Sequence, residues 1–87
     1  MKKIKLKLVH IKWVDSSIPR AGWRWVSDLE PIHELHCHTT GYVIRENKNT
    51  VHVACTYSQE HPGEVQFQGD IYIPKCSILK MEELKRK

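Results

Sequence analysis

The chain has 87 residues, enough for one hydrophobic core and too few for two, so we expect a single domain over residues 1–87. Hydrophobic residues make up 40% of it, which excludes disorder throughout, and no run of about 18 apolar residues could cross a membrane as a helix. The net charge of +4 lies at the ends, since residues 1–12 carry +5, residues 13–74 carry −4 and residues 75–87 carry +3. Such ends form either a basic edge for a polyanion or an ordinary solvated surface.

The first predicted strand covers residues 4–13, and its apolar face changes along its length. The apolar side chains occupy even and then odd positions: Ile4, Leu6 and Leu8, then Val9, Ile11 and Trp13. Because successive side chains of a strand point to opposite faces, this change predicts two partly covered faces or a β-bulge between Leu8 and Val9. We interpret Trp13 as a core residue, since it continues the second apolar face.

A long irregular loop over residues 15–31 follows the first strand. Ser27 and Glu30 have the spacing of a capping box, which predicts one helical turn. If the segment is extended, Trp23 and Trp25 share a face with Arg24 opposite. Indole rings beside a guanidinium group are suited to stack on a nucleotide and neutralise it, so these three are candidate ligand-binding residues. The weaker candidates are Arg20 and Tyr42. Alternatively, the rings close one end of the fold as core.

Period-two alternation predicts four further strands, over residues 35–43, 51–57, 65–73 and 77–81. We expect an asparagine-rich turn at 45–50 that uses positive φ, a bend at Gly41, and a frayed tail over residues 82–87. The side chains predicted to be buried are Val51, Val53, Cys55, Val65, Phe67, Ile71 and Ile73. Five short strands without a long helix predict an all-β fold, as a small five-stranded antiparallel barrel of SH3-like, Sm-like or OB-like type. Exposed strand edges favour a homo-oligomer.

The most concentrated cluster of potential ligands is His33-Glu34-Leu35-His36-Cys37-His38. On a strand, His36 and His38 share a face, so they are candidate metal ligands, with Glu34 or His52 as a third. The alternative is a polar strand face that binds no metal. The helical zinc motif H-E-x-x-H is absent, as are G-x-S-x-G and a glycine-rich phosphate loop. We therefore expect neither an enzyme nor a cofactor.

The cysteines are odd in number and contain no C-x-x-C pair, which argues against a disulfide framework. Cys37, Cys55 and Cys76 are instead expected to be small buried hydrophobes in a reducing compartment.

Several short motifs carry a resemblance to known proteins. In chain order they are Trp13-x-Asp15-Ser16, Gly22-Trp23, Pro31, Cys37, Thr39-Thr40-Gly41-Tyr42 and Ile73-Pro74-Lys75-x-x-Ile78. Together they resemble a family of small phage and prophage proteins, and residues 41–57 with 69–78 resemble the bent hairpin and last strands of Sm-like barrels. The Sm-like RNA-contacting motif is not clearly present. The resemblance implies a cytoplasmic protein of an infected bacterial cell.

Three functions follow as hypotheses, none of which involves a membrane. The first is a non-catalytic binding module that captures a small anionic, nucleotide-like ligand, such as a host-defence signal, at the loop and possibly at a subunit interface. The second is an inhibitor of a host protein that uses the same tryptophans as its contact residues. The third is an Sm-like RNA-binding protein that uses the basic ends.

Overall fold

The computed structural model describes residues 5–18, 21–60 and 63–85. They form five strands: β1 (Leu8–Asp15), β2 (Leu35–Glu46), β3 (Thr50–Ser58), β4 (Gln66–Pro74) and β5 (Ile78–Glu83). Two short 3₁₀ turns cover Val26–Asp28 and Lys75–Ser77, and the described part of the chain contains no α-helix. Every pairing is antiparallel, in the order β4-β3-β2-β1-β5. The predicted all-β class is confirmed. No helix among the described residues is long and apolar enough to cross a membrane.

The sheet is strongly coiled but open. Its edge strands, β4 and β5, are joined only by the turn at Lys75–Ser77. Five flat strands would place these edges about 19 Å apart, whereas a link of this length spans at most about 14 Å, so the sheet must curl there. Among the described residues, β4 and β5 are not paired with each other. A curled five-stranded antiparallel sheet is therefore shown, and the closed barrel predicted from the sequence is not.

A small core lies on the concave face of the sheet. Strand β1 contributes alternate residues, and β3 and β4 cover them; the buried members are Val9, Ile11, Trp13, Val51, Val53 and Ile73. The indole Nε1 of Trp13 donates to Thr39 Oγ1 over 3.0 Å, so this buried donor is satisfied. The core position predicted for Trp13 is confirmed, as is burial of Val51, Val53 and Ile73.

The predicted core was wrong at the far end of the β3–β4 hairpin. Cys55 and Phe67 are exposed, and Val65 is half-buried. Ile71, which lies opposite Val53 on the edge strand β4, is exposed as well. Strand β2 pairs with β3 only as far as Ala54, and beyond that residue β3 pairs with β4 alone. Alternation along a strand shows which side chains share a face. Whether that face is buried depends on how many other strands lie around it, and a two-stranded hairpin end has too few.

The first and last strands were predicted in part. Strand β1 has no bulge at its start, and the other expectation is met, since its even positions are half-buried and its odd positions from Val9 to Trp13 are buried. The irregularity lies opposite, in β5, between the partners of Lys12 and Trp13. The tail prediction was wrong for Glu82 and Glu83, which belong to β5 and pair with β1. Ile4, Arg86 and Lys87 lie outside the described residues.

The turn between β2 and β3 is built by one asparagine side chain. Asn47 Oδ1 accepts hydrogen bonds from the backbone N–H groups of Asn49 and Thr50, each over 2.8 Å. No described residue other than glycine has positive φ, so the prediction that asparagines adopt positive φ in this turn was wrong. The asparagine acts through its side chain, as an Asx turn does.

The chain is elongated and exposes a large surface for its size. Its radius of gyration is 17.7 Å and its extents are 64 × 24 × 24 Å, whereas a compact domain of this length has a radius near 12 Å. The accessible surface is 7667 Å², against about 5,400 Å² for a compact monomer of 10.3 kDa. Exposed large apolar side chains occur at Phe67 near the hairpin end of β3–β4 and at several positions of the segment between β1 and β2.

Candidate functional site

The segment between β1 and β2, residues 16–34, exposes several large apolar side chains; we call it the tryptophan loop. Trp23 is fully exposed, at 104% of its reference area, Trp25 is 77% exposed and Ile32 is 95% exposed. Val26 and Leu29 are exposed as well. Ile18, at the start of the segment, is 96% exposed. Isolated surface apolar residues are common in soluble proteins, but six in one short segment indicate an interaction surface.

A single 3₁₀ turn gives the tryptophan loop its local shape. The backbone N–H of Asp28 donates to the carbonyl of Trp25 over 3.0 Å, and that of Leu29 to the carbonyl of Val26 over 3.2 Å. The predicted helical turn is therefore present two residues early, at Val26–Asp28. The residue before it is Trp25, without a side-chain cap, so the capping box predicted at Ser27 does not form.

Residues of the tryptophan loop line an open groove of about 760 Å³. Trp23, Arg24 and Trp25 line one part of it, and Asp28 and Glu30 line another. The groove thus presents one guanidinium group against two carboxylates. This balance disfavours a multiply charged anion, which the carboxylates would repel, and suits a neutral or mixed-charge partner.

The structure brings together three of the five predicted ligand-binding residues. Trp23, Arg24 and Trp25 share the groove. Arg20 lies outside the described residues. Tyr42 lies in the middle of β2, seven residues or about 23 Å along the strand from Leu35, where the loop ends. Its ring packs edge-to-face on Tyr57 at 4.7 Å, so it belongs to another part of the sheet.

The candidate metal ligands His36 and His38 have different partners. His36 Nε2 lies 3.4 Å from Glu34 Oε1, and His38 Nδ1 lies 3.2 Å from His10 Nε2. The other proposed ligand, His52, is buried in a separate cluster. In residues 5–18, 21–60 and 63–85, no three His, Cys, Asp or Glu side chains are arranged to hold a metal ion.

A polar network on the opposite face from the core was missed by the sequence analysis. His52 is only 4% exposed and lies between Arg45 and Asp70. Arg45 Nε donates to His52 Nδ1 over 3.1 Å, and Arg45 Nη2 donates to the hydroxyl of Tyr72 over 3.1 Å. His52 also packs on the rings of Tyr72 and Phe67, at 4.4 and 5.4 Å. The network joins β2, β3 and β4.

The donors of this network fix the tautomer of His52. An arginine Nε–H can only donate, so His52 Nδ1 accepts and carries no proton. Nε2 therefore carries the proton and donates to Asp70 Oδ2 over 2.6 Å. This hydrogen bond is the main reason why the pKa of Asp70 lies below its ordinary value of 3.8. Both imidazole nitrogens are engaged in hydrogen bonds, so His52 has no free lone pair for general-base catalysis.

The thiols differ from the sequence prediction. Cys37 is half-buried against the core, whereas Cys55 and Cys76 are exposed, and all three are free. Burial was therefore predicted wrongly for two of them. Cys55 is exposed because it lies opposite Gly69, in the part of the hairpin where β2 no longer pairs with β3.

Comparison of the chain with protein-family models, curated proteins and solved structures gives no match. The resemblance to small phage proteins and the likeness to Sm-like barrels remain predictions from short motifs.

Proposed function

We propose that this chain is a non-catalytic binding module that docks its tryptophan loop on a protein partner. The observation that carries the proposal is the full exposure of Trp23 beside the largely exposed Trp25. Burying a tryptophan removes about 150–250 Å² from water, which favours binding by about 4–6 kcal/mol per ring before the costs of association. A loop that only connected two strands would gain nothing from these side chains.

The composition of the loop matches that of protein contact surfaces. Their central residues are enriched in tryptophan, tyrosine and arginine, and their rims are polar. Here Trp23, Arg24 and Trp25 supply the central residues, and Asp28 and Glu30 supply a charged rim. The excess surface of the elongated chain supports the same proposal, because docking would bury it.

Capture of a small nucleotide-like ligand is the second candidate. It is supported by the groove of about 760 Å³, which falls within the usual range for ligand sites and is lined by two indoles and a guanidinium. The carboxylates of Asp28 and Glu30 make it the less favoured candidate, since they oppose a phosphate group in the same groove.

We place this activity inside a bacterial cell, in line with the resemblance to phage proteins. The three free cysteines support that setting, because exposed thiols persist most readily in a reducing compartment.

The test uses the full chain and two variants. The double variant Trp23→Ser/Trp25→Ser removes both indoles, and Leu79→Ser removes an exposed apolar side chain from β5 as a matched control. A photo-crosslinking residue at Val26, itself exposed in the loop, captures partners in cells, and mass spectrometry identifies them. Each identified partner is then purified and titrated against the three chains by calorimetry.

The proposal predicts a protein partner, a second copy of the chain included, that binds the wild type and Leu79→Ser equally. The double variant should bind it at least a hundredfold more weakly, since two contact tryptophans are lost. A nucleotide that raises the melting temperature of the wild type but not of the double variant would favour the second candidate instead. Partner binding that survives in the double variant would overturn the proposal.

A further inference from the structure

His10 and His38 form a cross-strand pair on the polar face of the sheet. Strands β1 and β2 pair His10 with Thr40 and Lys12 with His38, so the two histidines are diagonal neighbours on one face. Their rings are nearly parallel, at 12°, with centroids 5.2 Å apart. His38 Nδ1 and His10 Nε2 face each other at 3.2 Å.

This separation is that of two ligands on one metal ion. Imidazole nitrogens bind Zn²⁺ at about 2.0–2.1 Å, so two of them on a tetrahedral ion lie about 3.3–3.4 Å apart. The observed distance of 3.2 Å, which is that of a hydrogen bond between the two rings, is close to this value. Zinc would replace the hydrogen bond once both rings turn so that their lone pairs converge on the ion. Both histidines lie on strands paired over eight residues, so little backbone ordering would accompany binding.

A carboxylate lies beside the ring nitrogen of His10 that does not face His38. Glu82 pairs with His10 across β1 and β5, and its Oε1 lies 3.8 Å from His10 Nδ1. A carboxylate there favours a proton on Nδ1, which leaves the lone pair of Nε2 directed at His38. Histidines that bind metals commonly place a carboxylate in this position, where it orients the ring and offsets the charge of the ion.

Two lysines near the histidine pair would repel a bound cation, but they do not prevent it from binding. Lys12 pairs with both His38 and Lys80 across the sheet, so two ammonium groups lie on the same face. The Nζ of Lys80 lies 3.9 Å from Glu82 Oε2. Both ammonium groups are on long side chains at the surface, where solvent screens their repulsion.

We propose that His10 and His38 chelate one divalent ion of the zinc type, with water in the remaining positions. The described residues supply no third ligand, so the site is an exchangeable surface chelate and not a structural zinc centre. The histidine pair expected from sequence, His36 and His38, is thereby replaced by a pair from two strands. The site is on the sheet face and does not depend on the function of the tryptophan loop.

The test uses the full chain without a histidine tag, titrated with zinc chloride at neutral pH by calorimetry. We expect one equivalent to bind the wild type. His10→Gln and His38→Gln should each weaken binding more than tenfold, and Glu82→Gln should weaken it about tenfold. His36→Gln, on the same strand face, is the control and should bind as the wild type does.

A second measurement on the wild type does not depend on any variant folding. Zinc should shift the ring ¹⁵N resonances of His10 Nε2 and His38 Nδ1 together, at one stoichiometric point, and leave those of His36 in place. Absence of zinc binding, or binding that moves the His36 resonances instead, would overturn the proposal. Unchanged zinc affinity in a folded His10→Gln chain would overturn it too.

Discussion

Arg45 reaches His52 because β2 contains one extra residue at Ile44. Before this bulge Val43 pairs with Val53, and after it Arg45 pairs with His52. In a regular ladder Ile44 would oppose His52, and Arg45 would point to the core face opposite Val51. The bulge therefore turns a guanidinium group away from the core and places it 3.1 Å from a buried imidazole.

Removing the imidazole should destabilise the sheet. His52→Ala deletes a buried side chain and leaves Arg45 and Asp70 without their shared partner. We expect the free energy of unfolding to fall by about 2–4 kcal/mol. Urea denaturation followed by circular dichroism measures this change. His36→Ala, which removes an exposed histidine of β2, should alter stability by no more than about 0.5 kcal/mol. Equal effects in the two variants would contradict a stabilising role for the network.

The same network predicts a loss of stability in acid. The pKa of Asp70 is lower in the folded chain than its ordinary value of 3.8, so folding favours the carboxylate form. This contribution is complete above that ordinary value and is lost as the pH falls through the lower, folded value. The unfolding free energy of the wild type should therefore fall below about pH 4. The loss of unfolding free energy that comes from Asp70 should be missing in Asp70→Asn and in His52→Leu. Chemical denaturation at several pH values between about 2 and 6 measures this difference. An unchanged pH dependence in both variants would refute the hydrogen-bond assignment.

Alternation in the sequence predicted the strands well because each has one apolar face. Val51, Val53 and Ile73 were predicted as core and are buried. The exposure of Phe67 could not be predicted, since it depends on where β2 stops pairing with β3. Strand overlap is set by turn lengths and bulges in other parts of the chain, which a period-two pattern does not record.

The candidate sites were predictable to different extents. Trp23 and Trp25 stand out in the sequence as two tryptophans in a polar loop, and the structure places both in one groove. The network of His52 was not predictable, because the bulge at Ile44 decides which face Arg45 occupies. The facing nitrogens of His10 and His38 likewise require the register between β1 and β2.

Gly41 is required by the close approach of β3. A Cβ at this position would lie 2.8 Å from the carbonyl oxygen of Ala54, a backbone atom that cannot turn aside. Gly41→Ala should force β2 away from β3 and lower the unfolding free energy by about 1–3 kcal/mol. Thr40→Ala, one residue earlier and exposed, is the matched control and should have little effect. The pair is compared by thermal unfolding, and a fully stable Gly41→Ala chain would show that the strands are not in such close contact.

Replacement of Trp13 and of Trp23 by alanine should have different effects on the free energy of unfolding. Trp13 is 7% exposed and its indole is hydrogen-bonded to Thr39, so Trp13→Ala should cost about 3–5 kcal/mol of stability. Trp23 contacts mainly solvent, so Trp23→Ala should change stability by no more than about 0.5 kcal/mol. Urea denaturation is measured at a concentration where sedimentation shows a monomer, which keeps any loss of association out of the comparison.

Acrylamide should quench the wild-type fluorescence strongly, and the quenchable part should fall in Trp23→Ala because an exposed indole is lost. A loss of stability in Trp23→Ala as large as that in Trp13→Ala would identify both rings as core and would remove the basis for docking through the tryptophan loop.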